Sequence, residues 1–211
     1  MLGQLRIGTK NGLYAFITIL CLVALKVFFL IRIRGKQNID KNAEYIIVAR
    51  HLSYWDAPVV AVALGIFNRV HFISRKGLMH GNPLLQPILR TFSTIIDREN
   101  FSRGDFRKVL EAMKRERLIG LFPEGTTQGQ VDAKAGVIHF AKLSGKRILP
   151  VNIISAGPYP PDYPFRFPRL TVSIGKSFAV EDLHNNKRDV NTRAEQYQQM
   201  SAQLMALVDN A

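Results

Sequence analysis

Cysteine and acidic residues are both scarce in this chain. A single cysteine, Cys21, among 211 residues excludes an internal disulfide and a cysteine-rich zinc site. Only 16 Asp and Glu stand against 29 Lys and Arg, so the net charge is +13. Hydrophobic residues make up 47% of the chain and charged residues 21%, which excludes a mainly disordered protein. The length suffices for one α/β domain, and the positive charge predicts an anionic partner such as a membrane, a nucleic acid or a phosphorylated substrate.

Several common nucleotide-binding and hydrolase motifs are also missing. The chain has no G-x-x-x-x-G-K-[ST] phosphate loop, no G-x-G-x-x-G after a strand, no H-E-x-x-H zinc motif and no G-x-S-x-G nucleophile elbow. It contains no recognisable nucleic-acid-binding module, and much of its excess charge brackets an apolar segment. We therefore expect a membrane surface, and no nucleic acid, as the anionic partner.

Residues 1–36 combine basic residues with one long apolar run. They contain six Lys or Arg and no acidic residue. Between Leu13 and Ile31, seventeen of nineteen residues are apolar, and only Thr18 and Lys26 interrupt the run. A helix of this length measures roughly 28 Å, about one hydrocarbon thickness. We expect residues 1–36 to be a membrane anchor that spans the bilayer or lies in one leaflet, with a buried core helix as the alternative, and residues 37–211 to form a separate domain.

The rest of the chain alternates between strand-like and helix-like segments. Short β-rich runs occur at Tyr45–Ala49, Val70–Ser74, Ser93–Ile96, Leu118–Phe122, Ile148–Ile154 and Leu170–Gly175. Helical periodicity lies between or after them, at Ala57–Leu64, Ser102–Arg117, Ala135–Leu143 and in a last helix with a capping box at Thr192 and Glu195. This alternation predicts an α/β fold with a largely parallel or mixed sheet flanked by helices.

A histidine and an aspartate follow the first of these strands, in R-H-L-S-Y-W-D. On one continuous helix their spacing corresponds to a rotation of ~140°, so the two side chains would not share a face. They can meet if His51 lies in the loop and Asp56 begins the next helix, which Pro58 favours. Asp56 would then fix the imidazole tautomer, and the other ring nitrogen could accept a proton from an alcohol. Alternatively, Asp56 is only a helix N-cap.

Charged residues also follow other predicted strands. The sequences at these strand ends are Arg75-Lys76, Asp97-Arg98 and Pro123-Glu124-Gly125-Thr126. Since ligand sites in open α/β sheets form outside the carboxyl ends of the strands, these side chains are candidates for the same site as His51. An arginine fork and a lysine near a histidine base suit an anionic head group. Each residue also has a structural explanation, such as a surface ion pair, a solvated side chain or a turn.

Four motifs of the chain resemble blocks of the 1-acylglycerol-3-phosphate acyltransferase family of membrane glycerolipid acyltransferases. They are, in the family's order, H-L-S-Y-W-D at 51–56, I-I-D-R at 95–98, F-P-E-G-T at 122–126 and L-P-V at 149–151. The His-x4-Asp spacing alone is a weak signal, but together with F-P-E-G-T it is specific. Two positions depart from the family, which more often has asparagine in place of Arg50 and arginine in place of Thr127.

The resemblance implies an O-acyltransferase of phospholipid synthesis. Such an enzyme transfers a fatty acyl group from a thioester of acyl carrier protein or coenzyme A to the free hydroxyl of 1-acylglycerol-3-phosphate. By match, His51 is the catalytic base and Asp56 orients it. The substrate-binding residues by match are Lys76, Arg98, Glu124, Gly125 and Thr126. The resemblance implies no metal or other cofactor, since a thiol leaves readily, and it places the enzyme on the cytoplasmic face of the cell membrane.

Two alternatives stay open. Because Thr127 carries no charge, the acceptor can be another lysolipid with a smaller demand for cations, such as a lyso-ornithine or zwitterionic lipid. The second alternative is a non-catalytic basic protein that binds anionic membranes. Release of a thiol from acyl thioesters, measured against a panel of lysolipids, separates all three.

Overall fold

Six α-helices and seven β-strands make up the described part of the chain. The computed structural model describes residues 2–124, 136–161, 167–183 and 192–211. The helices are α1 (Leu2–Phe29), α2 (Asp56–Leu64), α3 (Gln86–Phe92), α4 (Arg103–Arg115), α5 (Gly136–Ser144) and α6 (Arg193–Asp209). The strands are β1 (Arg32–Arg34), β2 (Tyr45–Ala49), β3 (Val70–Arg75), β4 (Ser93–Ile96), β5 (Leu118–Leu121), β6 (Arg147–Ala156) and β7 (Arg169–Ile174).

All seven strands belong to one mixed sheet, in the order β1-β7-β6-β2-β5-β3-β4. The five strands from β6 to β4 run parallel to one another, whereas β7 is antiparallel to β6 and β1 is parallel to β7. The predicted fold class, a largely parallel or mixed sheet flanked by helices, is thus confirmed. Because β6, β2, β5, β3 and β4 are parallel, their carboxyl ends lie along one edge, and this edge carries the candidate site.

Both faces of the sheet are covered, which explains the apolar runs in the sequence. Along β2, Tyr45, Ile47 and Ala49 belong to one core cluster, and Ile46 and Val48 belong to the other. Helices α1 and α2 pack on the first face, and α4, α5 and α6 pack on the second. A strand that is buried on both faces has no polar side to alternate with, so it reads as continuously hydrophobic.

From Gly8 onwards, helix α1 buries one stripe of side chains and exposes most of the others. The buried side chains are those of Tyr14, Thr18, Leu25 and Phe29, at the spacing of one helical face. The exposed apolar side chains are Leu13, Phe16, Ile19, Leu20, Val23, Val27 and Phe28. The segment Gly8–Phe29 is long and apolar enough to cross a membrane, and only 22% of its most apolar window is buried. A core helix would be covered on every side, so this distribution argues against that alternative.

The end of α1 is part of the core of the domain. Leu25, Phe29 and Ile31 lie in the core cluster beneath α2. The ring of Phe29 packs on Trp55 with centroids 5.0 Å apart, immediately before the start of α2. The predicted anchor, residues 1–36, also contributes strand β1, which pairs with β7. The apolar segment and the α/β domain therefore share one hydrophobic core.

Candidate active site

His51 and Asp56 meet at the carboxyl end of β2. The strand ends at Ala49, His51 lies in the following loop and Asp56 is the first residue of α2. His51 Nδ1 lies 3.1 Å from Asp56 Oδ2. An ionised carboxylate can only accept, so it favours the neutral tautomer with the hydrogen on Nδ1, in which Nε2 is the acceptor. The His51 side chain is 18% exposed, and Nε2 has no hydrogen-bond partner among the described residues, so a substrate hydroxyl can approach it.

Asp56 is held by several donors and is almost completely buried. Its Oδ2 also accepts the backbone N–H groups of Leu52 at 2.7 Å and Ser53 at 2.8 Å. Its Oδ1 accepts the hydroxyl of Tyr159 at 2.5 Å. The N-cap residue of α2 is Trp55, and Asp56 binds amides upstream of itself instead of capping its own helix. The carboxylate thus closes the loop at 51–56 and presents one oxygen to the imidazole.

The amides of this loop are already engaged. Besides Leu52 and Ser53, the N–H of His51 donates to Glu124 Oε2 at 3.0 Å and the N–H of Trp55 donates to Ser53 Oγ at 3.2 Å. These four N–H groups are therefore not available as donors for an oxyanion. Ser53 is buried and its hydroxyl accepts from the loop backbone, which argues against a covalent role for this serine.

An aromatic stack supports the ring of His51 from one side. The imidazole lies 4.4 Å from the ring of Phe122 at an interplanar angle of 18°, and Phe122 is in turn stacked on Phe72 at 6.0 Å. A Cβ on Gly120, opposite Phe72 in the sheet, would lie 2.5 Å from the Phe72 ring. Glycine at position 120 therefore makes room for the stack that orients His51.

Glu124 joins the ends of β5, β2 and α6 through Arg50. Its Oε1 accepts from Arg50 Nη1 at 2.5 Å, and the Glu124 side chain is 2% exposed. The remaining face of the guanidinium donates to both carboxylate oxygens of Asp209, at 2.5 and 2.6 Å. Asp209 is the last residue of α6, so Arg50 connects the C-terminal helix to the loop that carries His51.

Two arginines lie at the carboxyl ends of the neighbouring strands β3 and β4: Arg75 is paired with Ile96, and Arg98 follows two residues later. Burial, and then the neighbouring guanidinium of Arg75, lower the pKa of Arg98. Arg75 donates to the hydroxyl of Tyr54 at 3.3 Å, and within the described part of the chain neither arginine forms an ion pair with a carboxylate. Lys76 is exposed at the start of a 3₁₀ turn. Two neighbouring cations without a carboxylate create a positive potential that favours an anion.

The comparisons with known proteins identify the family. The family model described as Acyltransferase matches residues 30–154, more than half of the chain. The chain belongs to the acyltransferase family. A 1-acyl-sn-glycerol-3-phosphate acyltransferase of Bacillus subtilis (strain 168) is 24% identical over 136 residues, which are 62% of this chain and 67% of that protein. A protein of the same name from Streptococcus pneumoniae (strain ATCC BAA-255 / R6) is 28% identical over 163 residues, 76% of this chain and 60% of that protein.

A solved structure has the same fold. The crystal structure of the 1-acyl-sn-glycerophosphate (LPA) acyltransferase PlsC from Thermotoga maritima matches with a TM-score of 0.71. The match covers 97% of this acyltransferase and 80% of the other chain, at 19% sequence identity. At that identity the likeness concerns the fold, and the site must be argued from the residues of this chain.

The predicted site residues fall into three groups. His51, Asp56 and Glu124 are close together, with Glu124 bound to the backbone of His51. Arg98 lies on the same edge, two residues beyond the end of β4, and β5 and β3 separate β4 from β2 by about 14 Å. Lys76 follows Arg75 in the sequence and is exposed, and Gly125 and Thr126 lie outside the described residues.

Sequence reasoning passed over two residues of the site. Arg75, the neighbour of Arg98, directly follows the predicted strand Val70–Ser74, but the family resemblance points to Lys76 as the further cation. Tyr159 lies in the proline-rich connection between β6 and β7, 103 positions from Asp56, and no local pattern marks it. Both contacts depend on how the strands are ordered in the sheet.

The ion pair between Arg50 and Glu124 is expected to stabilise the protein. Arg50→Asn introduces the residue that the family more often has. It should lower the free energy of unfolding by about 3 kcal/mol, because it leaves the buried Glu124 carboxylate without its cation. The matched control is Asp209→Asn, which removes only a partly exposed ion pair and should cost less than about 1 kcal/mol. Urea unfolding of both variants in detergent is the measurement. If both variants lose the same free energy of unfolding, Arg50 stabilises the protein through its ion pair with Asp209 of α6 and not by neutralising Glu124.

Proposed function

We propose that this acyltransferase transfers a fatty acyl group from a thioester to the free hydroxyl of 1-acylglycerol-3-phosphate and forms phosphatidate. The observation that carries the proposal is the His51–Asp56 pair on the same sheet edge as the arginine pair Arg75 and Arg98. Membership of the acyltransferase family supports acyl transfer, and the names of the two bacterial relatives support this acceptor.

In the proposed reaction, His51 is the general base. Nε2 takes the proton of the acceptor hydroxyl as the oxygen attacks the thioester carbonyl, and Asp56 stabilises the imidazolium that forms. The tetrahedral oxyanion then collapses, the carbon–sulfur bond breaks and the thiolate leaves. The imidazolium returns the proton to the thiolate sulfur, so His51 ends the cycle in its starting state. Acyl carrier protein and coenzyme A both supply such a thioester.

The phosphate of the acceptor is proposed to bind at the arginine pair. A planar guanidinium can hold two phosphate oxygens at once, and the low hydration of the half-buried Arg98 strengthens such a contact. Lys76 is proposed as a further cation at the rim of this site. Glu124, Gly125 and Thr126 are proposed to shape the acceptor site, with Glu124 acting through the backbone of His51.

A thiol-release assay tests the proposal. The full-length enzyme in mixed micelles is incubated with acyl carrier protein or coenzyme A thioesters and a panel of lysolipids, and the acylated product is identified by mass spectrometry. We expect thiol release that depends on 1-acylglycerol-3-phosphate. Equal turnover with lyso-ornithine lipid or another acceptor lacking a phosphomonoester would contradict the phosphate assignment. If no thiol is released from any donor, the remaining alternative is a non-catalytic protein that binds membranes.

We propose that residues 1–36 hold the enzyme on the cytoplasmic face of the cell membrane. The exposed apolar face of α1 supports contact with lipid, and its length allows either a full span or burial in one leaflet. The six basic residues of this segment favour the anionic lipid surface. An acceptor that is itself a membrane lipid would reach the site from that surface.

Changes on the two sides of α1 are expected to have different effects. Leu20→Lys combined with Val27→Lys places two charges on the exposed face and should release a large part of the protein from membranes, since a lipid-facing charge costs about 3 kcal/mol. Leu25→Ala, on the buried stripe, should lower the free energy of unfolding by about 2–5 kcal/mol and leave membrane binding unchanged. Carbonate and high-salt washes of membranes, with thermal unfolding, are the measurements. Release of the Leu25→Ala protein alone would reverse the assignment of the two faces.

A further inference from the structure

We infer that Tyr159 is a positioning residue of the acyl-transfer reaction: its hydroxyl fixes the carboxylate of Asp56 so that the other oxygen stays on His51 Nδ1. The inference rests on the proposed function. The contact itself is the hydrogen bond from the Tyr159 hydroxyl to Asp56 Oδ1, at 2.5 Å. Its role is exerted through Asp56, the carboxylate to which its hydroxyl donates.

The backbone after β6 turns so that Tyr159 can reach the site. β6 ends at Ala156, and the next residue, Gly157, has φ +118°, a conformation that side-chain-bearing residues rarely adopt. A Cβ at Gly157 would lie 3.3 Å from Pro168, in the returning limb of the connection. The tyrosine ring then packs against the core cluster that contains α2. The ring is thus held by packing, and its hydroxyl points at the carboxylate.

The two carboxylate oxygens of Asp56 have different hydrogen-bond partners. Oδ2 serves His51 and the amides of Leu52 and Ser53, and Oδ1 has the Tyr159 hydroxyl as its donor. The side chain is 1% exposed, so water has little access to Oδ1. Without the phenol, Oδ1 would be a buried charged acceptor that lacks this donor, and the carboxylate would gain by rotating towards its remaining donors. Such a rotation would move Oδ2 away from Nδ1.

This misalignment matters most when the imidazole is charged. In the ground state, Nδ1–H donates to Oδ2 as a neutral group, and in the transition state it donates as part of an imidazolium. The charge-assisted bond is shorter and stronger, so its geometry affects the rate more than it affects binding. Tyr159 donates throughout and exchanges no proton with the substrate. A loss of its hydroxyl is therefore expected to lower kcat and to leave KM for both substrates nearly unchanged.

Tyr159 lies beyond the segment that matches the family model, residues 30–154. It comes from a connection with five prolines between Ala156 and Arg169. The His51–Asp56 pair lies inside the matched segment, whereas the side chain that completes the surroundings of Asp56 comes from outside it. The four hydrogen bonds that the Asp56 carboxylate accepts from described residues therefore combine donors from the loop after β2 with one donor from the connection after β6.

The test compares Tyr159→Phe with Tyr159→Ala in the full-length enzyme, with kcat and KM measured for the thioester donor and the lysolipid acceptor. Tyr159→Phe removes only the hydroxyl and should lower kcat roughly 10-fold, which is about 1.4 kcal/mol, with each KM within about twofold. Tyr159→Ala also removes the ring, and it should lower kcat little further. The matched control is Tyr45→Phe, which removes a buried phenol hydroxyl at the opposite end of β2, bonded to the N–H of Asp40, and should keep wild-type kcat.

Two results would overturn the inference. If Tyr159→Phe keeps wild-type kcat while Tyr159→Ala loses it, the ring packs and the hydroxyl has no role in positioning. If Tyr159→Phe raises KM as many fold as it lowers kcat, and also lowers the unfolding temperature, the residue is only structural. The proposed function fails separately, through absence of thiol release by the wild-type enzyme or through equal release by His51→Ala, and in that case this inference falls with it.

Discussion

His51→Ala is expected to lower kcat by about 10²–10⁴-fold, because it removes the proposed general base. The folded structure should persist, since the ring is partly exposed and contributes one hydrogen bond and one stacking contact. Steady-state thiol release and thermal unfolding, measured on the same preparation, check both halves of this expectation. Turnover within a factor of a few of wild type would exclude His51 as the base.

We expect Asp56 to have a catalytic role and a structural role, which two different substitutions can separate. Asp56→Ala is expected to lose comparable activity and also to unfold more easily, because it leaves two backbone N–H groups and the Tyr159 hydroxyl without their acceptor, each worth about 1–3 kcal/mol. Asp56→Asn keeps the shape and an acceptor oxygen but removes the charge that stabilises the imidazolium. It should therefore be nearly as inactive and clearly more stable than Asp56→Ala. Near-normal turnover in Asp56→Ala, together with a lower unfolding temperature, would reduce Asp56 to a loop-closing residue.

Arg98→Ala should raise KM for 1-acylglycerol-3-phosphate roughly 10- to 100-fold and leave KM for the thioester donor nearly unchanged, because hydrogen bonds to a charged group contribute about 1.5–3 kcal/mol. Arg98→Lys should recover only part of the loss, since an ammonium lacks the planar fork. Initial-rate kinetics in which donor and acceptor are varied independently measure the two constants. An equal rise in both KM values would mean that Arg98 supports the fold of this edge and not the acceptor.

The neighbours of Arg98 provide the control within the same site. Arg75 lies close enough to Arg98 to lower its pKa, whereas Lys76 is exposed on the following turn. Arg75→Ala should therefore raise KM for the acceptor more than Lys76→Ala does. The reverse order would return the second cation to Lys76, the residue that sequence reasoning favours.

Most of the helices and strands can be predicted from local sequence patterns. Strands β2 and β4 have the predicted boundaries, and the capping box of Thr192 and Glu195 starts α6 as expected. These elements follow from hydrophobic periodicity and from capping chemistry, both of which act over a few residues. Strand β1 was not predicted, since three residues with a charge at each end carry no strand pattern and pair with β7 only in the assembled sheet.

The sequence by itself determined that His51 and Asp56 can meet, because a loop followed by a helix start brings residues five apart together. It also determined, through its motifs, that the chain resembles an acyltransferase. Only the tertiary structure decided that Tyr159 donates to Asp56, that Arg50 links Glu124 to Asp209, and that Arg75 is the neighbour of Arg98. The physical reason is that these contacts join segments whose proximity depends on strand order and on the packing of α6, and local patterns carry no information about either.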